Sequence, residues 1–506
     1  MRDRYRVERD KRLRADGNDQ YIEAVGEFAH YTDDPYVESP IDRPPLTDEV
    51  DVIVVGGGFG GLQMGARLRE AGVEDLRIIE KGGDFGGTWY WNRYPGAQCD
   101  IESYIYLPLL EEVGYIPQEK YSYAREILDY SRRLGEHYRL YDGVMFQTEV
   151  TGMTWDEDAA RWIVATNRGD ALRARFVAMA NGPLNRPKLP GIPGISDFQG
   201  HAFHTSRWDY DYTGGSSHGD LTGLKDKKVA IIGTGATAVQ AVPHLGASAK
   251  ELYVFQRTPS SIDERNNQVT DPDWISTQEA GWQDKRRNNF ESIMTGGMVK
   301  EDLVSDGWTE AFRLLFGSLR DKAPSKAQIF KWSVASVVSP SLYKKGFKQY
   351  MTDKVTDFMD LAKAMEIADY QKMEKVRARA DAIVEDQETA EALKPYYRQF
   401  CKRPCFHDEY LSTFNLPNVT LVNTDGKGLE QITEKGIMFE GKEYEVDCII
   451  FATGFEVGTD YSRRAGYQIY GVDGLSVSDK WSGGLSTFHG MHSRGFPNAF
   501  FFGPAQ

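Results

Sequence analysis

The chain has 506 residues, 41% hydrophobic and 27% charged, enough to bury a large core in two or three domains. A net charge of −15 argues against a nucleic-acid partner and an anionic membrane surface, and the absence of any apolar run of about 18 residues argues against membrane insertion. Four cysteines without a CxxC pair (Cys99, Cys401, Cys405, Cys448) exclude a disulfide framework and a cysteine-based metal site, so no metal and a reducing, cytoplasmic setting are expected.

Residues 1–49 read as a polar surface extension, proline-rich at its end, with a helix over Tyr21 to Tyr31. A buried-strand run, Asp51 to Val55, then feeds the glycine loop Gly56-Gly57-Gly58-Phe59-Gly60-Gly61. A helix over Leu62 to Ala71 and a strand from Leu76 to Glu80 follow, the strand–loop–helix–strand context of a dinucleotide fold. Val144 to Asn167 alternates as strands do, Arg175 to Ala180 is a further buried strand, and Leu184 to Gly194 is a turn-rich linker. Lys228 to Ile232 then leads into a second loop, Gly233-Thr234-Gly235-Ala236-Thr237-Ala238, a helix over Thr237 to Leu245 that Pro243 can kink, and a strand from Leu252 to Phe255. A helical insertion is expected over about 271–393, followed by buried strands at Val419 to Val422 and from Cys448 towards Gly454.

The two loops are chemically opposite. Glu80 lies 24 positions after Gly56, and Arg257 lies 24 positions after Gly233. That offset carries the chain to the tip of the next strand, where a side chain meets the adenosine ribose. A carboxylate suits a free 2′-hydroxyl, and a guanidinium suits a 2′-phosphate, so the first site fits FAD and the second NADPH. The expected fold is α/β, with two Rossmann-like dinucleotide-binding domains and a helical insertion. The FAD domain takes 50–190 and 425–506; the NADPH domain takes 191–424.

From Asp51 onward the chain resembles the class B flavin monooxygenases, and among them the Baeyer–Villiger monooxygenases. The most specific match is Phe198-x-Gly200-x-x-x-His204-x-x-x-Trp208-Asp209. The N- and S-oxidising branch has Tyr or Phe where Trp208 stands. Gly86 to Gly96, Cys99 to Ser103, Phe255 to Pro259, Lys402-Arg403 and Ala452 to Phe455 agree as well. Family members usually continue past Gly503-Pro504 with a helix over the flavin and a tail on the nicotinamide. This sequence stops at Gln506, either as a truncated record or because those contacts are lacking.

The resemblance implies that NADPH reduces FAD, that O2 adds to give a flavin C4a-peroxide, and that a ketone becomes an ester or lactone. It places Arg403 above the flavin ring as catalytic residue, a cation that stays charged at any working pH, with Asp100 orienting it. Asp100 also reads as a plain helix N-cap. FAD contacts are expected from Gly56, Gly58, Phe59, Gly61 and Glu80, and from Gly87, Thr88, Trp89, Asp100, Tyr106 and Val150. NADP contacts are expected from Thr234, Gly235, Ala236 and Thr237, and from Arg257, Thr258, Lys402 and Arg403. His204 has a possible acid–base role, but a hinge role for it and Trp208 fits the linker better. Trp89 and Trp91 read as packing residues near the flavin, and Cys99 as a buried structural thiol. Rival readings are an N- or S-oxygenating monooxygenase, an uncoupled NADPH oxidase and a flavin-poor scaffold.

Overall fold

The computed structural model describes residues 1–297, 299–317 and 340–503. Part of the expected insertion, 318–339, and the last three residues lie outside it.

Two sheets carry the molecule, the first mixed and the second wholly parallel. In the first, the strand Glu49–Val55 lies between Leu76–Ile79 and Ala171–Met179, in register from Val52 against Leu76 and Phe176. Val144–Met145 extends one side. On the other side Ala171–Met179 changes partner along its length. Its first half pairs antiparallel with Arg161–Thr166, whereas Val177 to Met179 pairs parallel with Ala499–Phe501. Val150–Asp156 and Gln468–Tyr470 complete the sheet. The second sheet runs Val419–Asn423, Glu251–Gln256, Lys228–Ile232, Cys448–Phe451, His201–His204, all parallel. Both central strands are almost continuously buried, as expected of strands covered on two faces.

The same close approach fixes both glycine loops. A Cβ on Gly56 would stand 2.6 Å from the carbonyl oxygen of Ala180, and one on Gly233 would stand 2.5 Å from that of Ala452. Both residues have positive φ, 108° and 114°, so glycine is required twice over. A Cβ on Gly61 would collide with the carbonyl oxygen of Gly56, which lets the helix Phe59–Glu70 press onto its strand. The second helix, Ala236–Ser248, runs through Pro243. One hydrophobic cluster joins the units, from Leu62, Phe85 and Trp89 of the first to Val229, Val239 and Val242 of the second.

Two expectations are corrected. Tyr21 to Tyr31 is not a helix. Tyr21–Glu23 is a strand paired with Lys188–Pro190 of the linker, and Gly26, at φ 61°, separates it from the 3-10 turn Gly26–Thr32. An unexpected helix, Arg2–Asp10, precedes it. The return to the first sheet does not begin at 425. The strand Cys448–Phe451 pairs with Lys228–Ile232, and the first sheet resumes only at Gln468. Fully buried parallel strands of either sheet carry the same apolar signature, so sequence alone does not assign them. The expected insertion contains Pro272–Ser276, Trp282–Met294, Gly307–Gly317, Pro340–Ile383 and Gln387–Ala392. Among the described residues, no helix is long and apolar enough to cross a membrane.

Because the Phe59–Glu70 helix depends on that close approach, Gly61→Ala should destabilise the protein by about 1–3 kcal/mol. A lowered melting temperature together with a lowered flavin-to-protein absorbance ratio is expected; an unchanged melt would contradict the packing argument.

Candidate functional site

At the tip of the first central strand opens a cavity lined by Gly56, Gly58, Phe59 and Gly60, with Glu80 and the Gly86–Trp89 turn. Tyr106, Val150 and the Ala180–Gly182 turn close it. The helix Phe59–Glu70 has Gly58 at its N-cap and no side-chain cap, so its first N–H groups face this space, the arrangement a pyrophosphate needs. Gly87, at φ 52°, comes so near Gly58 that its Cβ would stand 2.6 Å from the Gly58 Cα. Glu80 is buried on the wall, where its carboxylate accepts N–H bonds from Gly57 (2.6 Å) and Gly82 (2.7 Å). Burial raises its pKa, and these two donors oppose the rise. Trp89 donates its indole N–H to the Tyr106 hydroxyl at 2.9 Å, and Phe59 meets the Tyr106 ring edge-on. A glycine cradle, an uncapped helix start, a ribose-height carboxyl and an aromatic wall together fit FAD. Thr88 is on the wall as expected; Gly61 is not, and serves the helix packing instead.

The second loop has the same construction. Gly235 caps Ala236–Ser248 without a side-chain bond, and a Cβ there would meet nothing within 4 Å, leaving room at Ala236 and Thr237 for a pyrophosphate. The Thr234 hydroxyl donates to the Thr258 carbonyl at 2.9 Å. Arg257 is exposed at the strand tip and is gripped from the N-terminal extension by Gln20 and by the Tyr21 hydroxyl at 3.3 Å. Lys402 donates to the carbonyl of Thr258 at 3.1 Å and, more weakly, to Pro259 and the Ser260 hydroxyl. Burial pushes its pKa down to about 8, and Arg257 and Arg12 add to the depression. An ammonium held beside two guanidiniums fits a 2′-phosphate.

Lys402 is extended, with φ −130° and ψ 159°, so the side chains of 402 and 403 leave on opposite sides. Arg403 turns to Asp100 and donates to it three times, Nε to Oδ2 at 3.1 Å and Nη2 to Oδ1 at 2.8 Å and Oδ2 at 2.9 Å. Burial alone would lower the Arg403 pKa; the Asp100 carboxylate outweighs it and holds the guanidinium above its ordinary value. The Arg403 side chain is 58% exposed, leaving donors free beyond the pair. Trp308 of the insertion secures both partners. Its indole N–H donates to the Asp100 carbonyl at 2.9 Å, and its ring lies 5.7 Å from the Arg403 guanidinium. Asp100 and Arg403 stand outside the cavity lining, yet close enough to act electrostatically on Tyr106 of its wall.

The fingerprint residues line no part of that cavity. The Phe198 ring covers Gly200, where a Cβ would collide with it. His204 is fully buried, and burial drives its pKa down to about 3. Its Nδ1 accepts from the Ser206 N–H at 3.2 Å and lies 2.8 Å from the Ser206 hydroxyl, and burial favours the neutral ring. Trp208 is buried and donates to the Thr213 hydroxyl at 3.0 Å, and Asp209 caps the next turn and binds His201 at 2.9 Å. Cys99 is buried, its thiol pushed up to about 12 by burial, and is inert. Sequence reasoning missed Arg207. Buried without a carboxylate hydrogen-bond partner among the described residues, it bonds the Asp33 carbonyl at 3.0 Å and stacks 3.8 Å over Trp91 of the cavity wall. Its place inside the fingerprint was the only signal available.

The family model described as pyridine nucleotide-disulphide oxidoreductase matches residues 53–285. Over its whole length the chain is 53% identical to neopentalenolactone D synthase of Streptomyces avermitilis, of which it covers 80%. It is 50% identical to Baeyer-Villiger monooxygenase ATR8 of Stachybotrys chlorohalonatus, again over the whole chain and 76% of that protein. Among solved structures, the polycyclic ketone monooxygenase of Thermothelomyces thermophila superposes with a TM-score of 0.85 at 40% identity, covering 99% of this chain and 80% of that one. The complex of OTEMO with FAD and NADP gives 0.69 at 28%, over 91% and 80%.

A Lys402 ammonium that meets the 2′-phosphate would make coenzyme affinity depend on pH. The ammonium is the binding form, and a bound phosphate raises its pKa, so NADP+ affinity should be full below about pH 8 and weaken above it. Calorimetric titrations from neutral to alkaline pH should show this slope for NADP+ and a flat line for NAD+; parallel lines would remove Lys402 from the phosphate site. Trp308→Phe keeps the ring and loses the N–H bond to Asp100, which should cost about 0.5–1.5 kcal/mol of organisation. The expected readout is a lower yield of ester per NADPH consumed at unchanged NADPH KM; unaltered coupling would relieve Trp308 of that role.

Proposed function

Because the chain belongs to the Baeyer–Villiger monooxygenases, FAD- and NADPH-dependent enzymes that turn ketones into esters or lactones, we propose that the Arg403–Asp100 pair is the charged centre of that reaction here and that its own substrates are bulky, polycyclic ketones. The observation that carries the first part is the three-bond clasp between Arg403 and Asp100 at the edge of the flavin cavity. When bound, NADPH and FAD supply the hydride and the activation of O2, and one oxygen atom enters beside the carbonyl. The residues supply charge and position. Arg403 presents a cation to the negative charge that gathers on the substrate oxygen as its carbonyl becomes tetrahedral. Asp100 fixes the guanidinium plane with two acceptor oxygens, which spares Arg403 reorganisation during the reaction. Glu80 holds the FAD ribose, and Arg257, Thr258 and Lys402 hold the NADPH 2′-phosphate. His204, Trp208 and Asp209 belong to the linker that serves as a hinge as the cofactors trade places.

The substrate class rests on the 40% identity to a polycyclic ketone monooxygenase over 99% of the chain. The four free thiols suit a reducing, cytoplasmic compartment.

Arg403→Ala should retain FAD and NADPH oxidation but yield no ester from a panel of monocyclic, linear, aryl and polycyclic ketones analysed by mass. Ester at near wild-type rate would refute the role of Arg403. The wild-type panel should favour polycyclic ketones, and conversion of thioethers alone would point to S-oxygenation instead.

A further inference from the structure

We propose that the N-terminal extension completes the coenzyme site, with Arg12 a direct ligand of the NADP 2′-phosphate and a determinant of the preference for NADPH over NADH. This rests on the reading of Arg257, Thr258 and Lys402 as the phosphate clamp.

Arg12 follows the helix Arg2–Asp10, which is fastened to the second unit rather than trailing from it. Tyr5 is buried there, meets Tyr370 edge-on at 5.3 Å and accepts from Arg377 at 3.0 Å. Lys11 pairs with Asp425 at 3.0 Å. A Cβ on Gly426 would stand 3.1 Å from the Lys11 carbonyl and 3.2 Å from the Arg12 Cγ, so the strand-end turn at 426 is shaped to receive this segment.

These anchors bring Arg12 to the clamp. Its Nε donates to the Thr258 hydroxyl at 3.1 Å, while the Thr258 carbonyl accepts from Lys402 and from Thr234. One threonine thus joins the extension, the coenzyme loop and the Lys402 segment. Both arginines act on the Lys402 ammonium and make its charge harder to hold, which means that the three cations share one small space. Glu8 is the carboxylate paired with Arg12, at 2.7 Å, and it belongs to the same helix, so it steers the guanidinium. Glu8 is shared with Lys11 at 3.1 Å, so it does not cancel the charge of Arg12 alone, and the clamp keeps the positive character that a phosphate dianion needs. The extension also holds Arg257 through Gln20 and Tyr21, so two of the three cations are set in place by residues that precede the first sheet.

The test is calorimetric binding of adenosine 2′,5′-bisphosphate, AMP, NADP+ and NAD+ to the FAD-loaded enzyme and to its R12Q, R12K and R257A variants. R12Q should weaken the two 2′-phosphorylated ligands about tenfold, the size of one partly screened charge-assisted contact, and change AMP and NAD+ less than about twofold. R12K should recover part of the loss. Equal weakening of all four ligands by R12Q would mean that Arg12 acts only through structure and would overturn the proposal, as would no change. If R257A loses the 2′-phosphate preference while R12Q keeps it, the inference about Arg12 fails and the clamp stands. If neither variant loses it, the clamp itself is wrong. Should R12Q not fold, R12K decides: a weakening smaller than tenfold confined to the two 2′-phosphorylated ligands supports the proposal, and equal weakening of all four ligands, or no change, overturns it.

Discussion

One extended dipeptide has to serve two charges at once. Lys402 and Arg403 are adjacent, and the pleat of an extended chain is what sends one towards the 2′-phosphate clamp and the other to Asp100. The dipeptide is braced just downstream, where Cys405–Phe406 pairs with Ile262–Asp263, close to the Thr258–Ser261 turn. A helical turn at Lys402 would place both side chains on neighbouring sides and leave one site without its cation. The alternation therefore ties the Thr258 contacts of Lys402, the proposed place of the coenzyme phosphate, to the Arg403–Asp100 pair.

The two units repeat one solution to a packing problem. Gly56 under Ala180 and Gly233 under Ala452 are the same close approach of a loop to the next strand's exit, built at two ends of the molecule. The units are not independent. Gly96 lies against the helix Ala236–Ser248, where a Cβ would stand 2.6 Å from the Gln240 carbonyl. The Gln240 side chain answers by accepting from Tyr94 at 2.8 Å and donating to the Gln98 carbonyl at 2.9 Å. The segment that ends in Asp100 is thus hung on the second unit's helix, and any shift of that helix reaches the Arg403 partner.

Much of this was legible in the residues. The glycine loops and the acid and base placed 24 positions beyond them are local signals, because strand, turn and helix are contiguous in sequence. Arg403 and Asp100 were named as partners only through family resemblance; nothing in spacing links positions 100 and 403. What stayed hidden depends on long-range pairing. Cys448–Phe451 carries no mark of which sheet it enters, and Tyr21–Glu23 becomes a strand only because Lys188–Pro190 is there to pair with it. Trp308 and Arg12 looked like one aromatic and one arginine among many until the fold put them against Asp100 and Thr258.

The choice of cation at each position follows from what surrounds it. Lys402 is part-buried, and burial lowers its pKa to about 8, so its charge is conditional and is secured when an anion arrives. Such a group can report the presence of a phosphate. In its proposed role Arg403 cannot be conditional, because the negative charge it would meet exists only during the reaction and leaves no time for a proton to be recruited. A guanidinium meets that demand, since even burial does not strip its proton and Asp100 pushes the balance further towards the charged form. In the proposed roles, exchanging the two residues would put a losable charge at the reacting carbonyl and an unconditional one at the phosphate. The proposed roles of the two residues therefore require the order Lys-Arg.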